Sequence, residues 1–323
     1  MSYIGIQSQK RRNNIRSTAL LILFPMLLLG LTWLLFFLLF SFSDMDSSGS
    51  DYYSGGVMAM TNEVFLLVFP WVLGGCAVWF LIAYFSNTAM IRSATSSHSL
   101  NRADNKRVYN LVENLCISTG MPMPKLNVIE DDSLNAFASG IDKNTYTVTL
   151  SRGIINKLDD EELNGVIAHE LTHIRNNDVR LLIISIVFVG IFAFISQMLF
   201  RSLIYAPRKS SNSNNKGGAI IMVIIAMVVA AVGYLFATLM RFAISRKREY
   251  MADAGAAEMT KNPAALASAL RKISGDPHIE SVTRDDVAQM FIEHTGKKKP
   301  SLFSRLFATH PPIEDRIRVL EQF

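Results

Sequence analysis

The sequence predicts a mainly α integral membrane protein, in which about four transmembrane helices are joined to an α+β soluble domain on the cytoplasmic side. Three observations carry this expectation. Half of the 323 residues are hydrophobic and only 18% are charged, and the apolar residues gather into four runs. Basic residues flank those runs unevenly. The stretches between them have ordinary soluble composition, and one of them holds His169-Glu170-Leu171-Thr172-His173.

A helix needs about 20 apolar residues to cross the hydrocarbon core of a bilayer. The first run spans about 17–42 and includes Pro25 and Gly30; the second spans about 64–87, with Pro70, Gly74 and Gly75. The third spans about 181–200 and the fourth about 219–240. None of the four contains Asp, Glu, Lys or Arg. Gln197 interrupts the third run, so a shallow hairpin is the alternative for the second pair. Lys10, Arg11, Arg12 and Arg16 precede the first run as in a signal peptide, but the run is too long and no clean cleavage site follows, which makes it a retained anchor.

The basic N-terminus and the acidic loop at 43–63 place the N-terminus in the cytoplasm by the positive-inside rule. Arg92, Arg102, Lys106 and Arg107 after the second run agree, as do Arg241, Arg246, Lys247 and Arg248 after the fourth. Arg201, Arg208, Lys209 and Lys216, between the third and fourth runs, disagree. The expected location is the inner (plasma) membrane, multi-pass. Cys76 and Cys116 lie in different kinds of segment, so no disulfide framework is expected and a reducing compartment fits the soluble part. The net charge of +5 is spent beside the apolar runs, with no basic patch carrying interleaved aromatics. Membrane lipid is therefore an expected partner and nucleic acid is not.

In the soluble stretches, Val108, Leu111, Val112 and Leu115 have helix spacing over 101–118, and Gly120 with Pro122 and Pro124 stops that helix. Strands are predicted at 125–130 and 146–150, with 135–140 a further one between them. Asp159 and Glu162 have capping-box spacing and open a helix through His173, whose pattern runs on toward Asp178 and the third run. The fourth run leads into a helix over 245–257. Asn262-Pro263 starts another that ends near Gly275, and the segment 276–300 is loop-rich. A last helix follows Pro311-Pro312, with Ile313, Ile317 and Leu320 on one face.

Positions i and i+4 share a helix face, so His169 and His173 aim two imidazoles at one point. Imidazoles are good zinc ligands, and the intervening Glu170 can reach a water there. A catalytic zinc takes three protein ligands and leaves one position open. No third His follows closely, since Asn176 and Asn177 stand there. Glu249 is the best candidate for the third ligand, against the alternative of a solvated partner of Arg246 or Arg248. Asp253, four residues on, presents a second carboxylate on the same face: one of the two binds metal and the other accepts the outer N–H of a ligating His, or Asp253 is simply exposed. Two membrane passes between His173 and Glu249 return the chain to the same side, as a shared metal requires.

These motifs, with Asn135-Ala136-Phe137-Ala138 and Thr309-His310-Pro311-Pro312 and the four apolar runs, resemble the HtpX-like membrane proteases of the M48 zinc-peptidase family. The resemblance covers nearly the whole chain and implies a zincin-like metalloprotease domain with one Zn2+ per chain. It makes His169, His173 and Glu249 the ligands, Glu170 the general base, and Asp253 the carboxylate that holds a ligating His. It also makes His310 the candidate oxyanion donor, with a structural His at a helix start as the alternative. Arg316 either serves the same end or pairs with Glu314 or Asp315. Asn135, Ala136, Phe137 and Ala138 form the expected edge strand on which a substrate peptide docks by backbone pairing, or else an ordinary core strand.

The expected layout is then a membrane hairpin over 1–87, a first protease segment over 88–178, a second hairpin over 179–240 and a second protease segment over 241–323. The expected activity is a zinc metalloendopeptidase that removes misfolded or damaged membrane proteins, its polypeptide substrates being unfolded or membrane proteins. The alternatives are a prenyl-protein processing peptidase and a catalytically silent membrane scaffold. The sequence leaves the oligomeric state open.

Overall fold

The computed structural model describes residues 6–44, 56–205, 223–235, 247–274 and 311–323. The chain divides into two compact units. One comprises Met1–Ser17, Phe85–Ile183 and Phe242–Phe323, and the other comprises Thr18–Tyr84 and Ile184–Arg241.

The second unit is helical among its described residues. Helix α1 (Ile6–Asp44) and helix α2 (Gly56–Thr95) contain the first two apolar runs and continue past Pro25 and Pro70. Their stretches Arg11–Ser41 and Gly56–Thr95 are each long and apolar enough to cross a membrane. On α2, Leu66, Leu67 and Trp71 are more than two-thirds exposed, an apolar surface of the kind that marks a membrane or protein contact. Helix α6 (Asp178–Tyr205) and the apolar helix α7 (Val223–Leu235) fall in the third and fourth runs. Phe24, Leu31, Cys76, Ile191, Phe192 and Val229 pack together in this unit, with the Phe24 and Phe192 rings edge to face at 5.3 Å. Cys76 and Cys116 are both free thiols.

The first unit is α+β. Strand β1 (His98–Ser99) pairs antiparallel with β2 (Lys125–Ile129), β2 runs parallel to β4 (Thr147–Ser151), and β3 (Ala136–Ser139) pairs antiparallel with β4. The spatial order β1-β2-β4-β3 leaves β3 at one edge. All three predicted strands form within a residue of their expected bounds. The two-residue β1 is too short to leave a period-2 signal. Asp142 closes the β3–β4 turn by accepting from Asn144 N at 2.9 Å and Thr145 N at 3.0 Å. Gly140 enters this turn at φ 112, where a Cβ would lie 2.5 Å from the Thr145 carbonyl oxygen, so only glycine fits.

Helix α3 (Lys106–Thr119) ends at the left-handed Gly120, as its sequence predicts, but starts five residues later than expected, where Asn105 caps it. A short helix, α4 (Arg152–Lys157), then leads to α5 (Asp160–Arg175), the centre of the unit. Leu163, Val166, Ile167, Ala168 and Leu171 of α5 are fully buried. Around them pack Val108 and Val112 of α3, Phe137 and Val148 of the sheet, and Ala252 and Ala256 of α8 (Lys247–Thr260). Leu270 and Ile273 of α9 (Pro263–Ile273) complete the shell, and α10 (Ile313–Leu320) packs on α8 and α9.

The capping box at the start of α5 is present in both directions: Glu162 N donates to Asp159 Oδ1 at 2.9 Å and Asp159 N to Glu162 Oε2 at 3.1 Å. The same carboxylate accepts from Ser268 Oγ at 2.7 Å and Lys272 Nζ at 2.6 Å, which ties α5 to α9. Burial works against the Glu162 charge, but the Lys272, Ser268 and Asp159 donors outweigh it and hold the carboxyl below its usual range. Because the folded value lies below the unfolded one, this stabilisation is complete above about pH 4.5 and is lost as pH falls below it. Asp159→Ala removes one half of the box and is expected to cost about 1 kcal/mol. Thermal unfolding in detergent would show this as a drop of a few degrees; an unchanged midpoint would mean that the box contributes nothing.

The expected run-on of α5 into the third apolar run does not occur. Helix α5 stops at Arg175, and Asn177 takes the left-handed conformation at φ 58 before α6 begins at Asp178. Asparagine tolerates that region better than most residues, so the Asn176-Asn177 pair punctuates what the apolar periodicity alone would continue.

Candidate metal centre

Helix α5 presents His169 and His173 on one face, with their Nε2 atoms 3.2 Å apart and the ring planes nearly perpendicular. Glu249, in the first turn of α8, places Oε2 3.6 Å from His169 Nε2 and Oε1 3.6 Å from His173 Nε2. One potential ligand atom from each of the three residues lies within 4.8 Å of the others. Glu249 is 4% exposed and His169 1%, while His173 is partly exposed.

The outer nitrogen of each imidazole meets a carboxylate. His169 Nδ1 lies 2.9 Å from Asp253 Oδ1, and His173 Nδ1 lies 3.1 Å from Asp178 Oδ2. A carboxylate at Nδ1 holds the proton there and leaves the Nε2 lone pair aimed at the meeting point. Asp253 was anticipated in this setting; Asp178 was not. The signal for Asp178 is the asparagine pair before it, which ends the helix and lets the next carboxylate turn back toward His173.

Arg316 of α10 is 1% exposed and grips Asp253 with two bonds, Nε to Oδ2 at 2.9 Å and Nη2 to Oδ1 at 2.7 Å. Its Nη1 stands 3.7 Å from Glu249 Oε2 and its Nη2 3.4 Å from His169. The expectation that it pairs with Glu314 or Asp315 is thus corrected. The face that buries Ile313 and Leu320 also carries Arg316 inward, onto a carboxylate 63 residues away in sequence.

Burial and the Arg316 charge push His169 toward neutrality, but its hydrogen bonds to Asp253 and Glu249 outweigh them and lift its pKa to about 9. Two imidazole nitrogens with one carboxylate suit zinc chemically.

Glu170 is buried. Burial pushes its carboxyl up, partly offset by the two histidines, while Glu249 adds to the rise and the Ala138 backbone N–H works against it. That last contact joins Glu170 to the edge strand. The Ser151 N to Asn135 O bond sets the pairing phase, so Ala136 and Ala138 turn their backbone groups away from β4. The Ala136 N–H goes to Asn135 Oδ1 at 2.8 Å. All four strand residues are buried. His310 lies outside the described residues, as do His278 and His294; His98 is exposed beside Glu130.

Helices α5 and α8 meet closely at a small residue. A Cβ on Gly255 would strike the Thr172 side chain, with Oγ1 at 2.8 Å. Thr172 is held by bonds to the Ala168 carbonyl at 2.8 Å and Met259 Sδ at 3.9 Å, so it has little room to move. Gly255→Ala is expected to destabilise the fold by about 1–3 kcal/mol through overpacking. Thr172→Ala in the same chain should recover much of the lost melting temperature. A double variant no better than Gly255→Ala alone would place the strain elsewhere.

Peptidase family M48 matches residues 102–323 of the chain. Two proteins of Bacteroides fragilis strains, each named Protease HtpX homolog, are 63% identical to it over 326 residues, covering all of both chains. A Protease HtpX homolog of Listeria monocytogenes serotype 4b is 40% identical over 277 residues, 82% of this chain and 89% of that one. A crystal structure of S. mikatae Ste24p aligns at a TM-score of 0.47 and 20% identity, covering 79% of this chain and 58% of that one.

Proposed function

The chain belongs to peptidase family M48 and is an HtpX-like membrane metalloprotease, and from that premise we propose that it is a zinc endopeptidase with a cytoplasmic active site. The observation that carries the zinc reading is the convergence of His169, His173 and Glu249, with Glu170 beside them on α5. In this reading one Zn2+ is held by those three side chains, and its bound form supplies Lewis acidity toward a peptide carbonyl and toward water.

The chain's own groups do the rest. Asp253 and Asp178 hold the two imidazoles with Nε2 inward. Arg316 keeps Asp253 ionised and oriented through its two bonds. His310 is the candidate oxyanion donor, carried by its place in the Thr309-His310-Pro311-Pro312 motif. Glu170 accepts a proton from the attacking water and passes it to the leaving amine. Its raised affinity for a proton suits a group that must take one up and give it back.

The edge position of β3, and the bond from Ala138 to Glu170, support substrate docking along Asn135, Ala136, Phe137 and Ala138. A strand added there would pass the general base. These residues are buried, so docking requires whatever covers them to yield. Backbone pairing tolerates many sequences, which suits clearance of misfolded or damaged membrane proteins.

The four-span topology rests on the charge pattern and on α6 and α7 as a second hairpin. An even number of passes between His173 and Glu249 is what brings α5 and α8 to one side of the bilayer. The expected location is the inner (plasma) membrane.

The test is cleavage of unfolded casein by the detergent-purified chain, with metal content measured alongside. The expected result is about one zinc per chain, loss of both zinc and cleavage on chelation, and recovery of both on zinc addition. A chain that holds zinc yet cuts neither casein nor membrane-protein substrates would favour the silent scaffold. A chain that takes up no zinc would refute the ligand set.

A further inference from the structure

The N-terminal helix reaches the metal cluster. Asn13, on α1, is fully buried. Its side-chain amide donates to the Asn176 backbone carbonyl at 2.9 Å and to Asp178 Oδ1 at 2.5 Å, acceptors 163 and 165 residues away. The other oxygen of that carboxylate, Oδ2, faces His173 Nδ1 at 3.1 Å. An amide nitrogen carries two protons, and both are engaged on the same turn of chain.

That turn is the break between α5 and α6, where Asn177 stands at φ 58. Three further contacts hold it. Asn177 Nδ2 donates to Asn14 Oδ1 at 2.9 Å, Tyr146 Oη donates to Asn177 Oδ1 at 3.3 Å, and Arg248 Nη1 donates to the Asp178 carbonyl at 3.2 Å. Without such bonds a left-handed, non-glycine residue relaxes toward helix, and Asp178 swings away from His173.

We propose that Asn13 is a positioning residue for the metal: it pins the Asp178 carboxylate, and through it the His173 ring, so that the first membrane helix is part of the metal centre as well as its anchor. The choice of amide matters. A neutral donor fixes the rotation of the carboxylate and leaves its negative charge for the imidazole, whereas an ammonium group would neutralise it. A carboxylate bonded on one oxygen only is free to turn about its last torsion. A donor on the second oxygen removes that freedom, which is how outer groups sharpen metal affinity.

The inference rests on the zinc reading above, and one set of measurements separates the two. The zinc dissociation constant of the full-length protein in detergent is measured by competition with a chromogenic chelator. The variants are Asn13→Ala, Asn13→Asp, Asp178→Ala, the double Asn13→Ala/Asp178→Ala, and Asn14→Ala. Asn13→Ala is expected to weaken zinc binding about tenfold, the lower end of the range for outer partners of metal ligands. Asn13→Asp has the same shape but sets a carboxylate against Asp178, so it should lose at least as much and covers the case in which the alanine variant misfolds. Asn14→Ala removes one of the bonds to Asn177 but leaves the Asp178 carboxylate itself bonded, so it should lose clearly less than Asn13→Ala. The double variant should bind no worse than Asp178→Ala alone, because both changes act on one line of contacts. Wild-type affinity in Asn13→Ala, or losses that multiply in the double variant, would overturn the proposal while leaving the zinc reading intact. A wild type that binds no zinc would overturn both.

Discussion

Glu170→Gln is expected to lower peptide cleavage by about 10²–10⁴-fold, the usual contribution of a positioned general base, with zinc content unchanged. Glutamine keeps the size of the side chain and an oxygen that can still accept from the Ala138 N–H, but it cannot take a proton from water. Glu170 is not among the three residues whose ligand atoms converge, so its replacement leaves the metal ligands in place. The substitution also removes a buried carboxyl whose ionised form burial disfavours. The melting temperature should therefore hold or rise while activity falls. Loss of zinc together with activity would show that Glu170 shapes the ligand set, and near-normal cleavage would move the base elsewhere.

The second large effect is expected at Arg316. Burial opposes charge on Asp253, but the Arg316 guanidinium and the bond to His169 outweigh it and hold that carboxyl well below the ordinary range. Arg316→Met keeps much of the side-chain volume and removes the charge, leaving Asp253 and Glu249 as buried anions beside one another's histidines. Removing one partner of a buried ion pair typically costs about 3–5 kcal/mol, a large share of the 5–15 kcal/mol that holds an ordinary domain together. The expected outcome is a much lower melting temperature of the metal-free protein. Arg316→Met/Asp253→Asn should recover a substantial part of it, because the second change removes the orphaned charge. Raising the pH should deepen the single variant's defect, since Asp253 then ionises without its partner. A wild-type melting temperature in Arg316→Met would mean that solvent or another cation compensates.

What could be read in the sequence divides by distance along the chain. The capping box at Asp159 and Glu162, the stop at Gly120 and the cap at Asn262 are contacts within four residues, and each forms as expected. The i,i+4 pairs His169/His173 and Glu249/Asp253 are local in the same sense, so the faces they occupy were legible. Bringing those two faces together needed the family resemblance and the even count of apolar runs between them. Asp178, Arg316 and Asn13 were not legible in the same way. Each acts on a group that periodicity does not point to: Asp178 because a left-handed asparagine turns it back, Arg316 because a charged residue shares a face with Ile313 and Leu320, and Asn13 because its partners are more than 160 residues distant. An arginine on an apolar helical face is nevertheless a usable warning, since a buried guanidinium demands an acid.

The centre draws on α5, α8 and α10, and the longest-range contact among these helices joins His169 and Arg316, 147 positions apart along the chain. A polypeptide emerging from the ribosome therefore carries its His-Glu-x-x-His helix long before it carries Glu249 or the arginine that neutralises Asp253. Until those later helices are made and packed, His169 and His173 lack Glu249 beside them and His169 lacks Asp253. Assembly of the centre is thereby postponed until both α8 and α10 have been made and packed on α5.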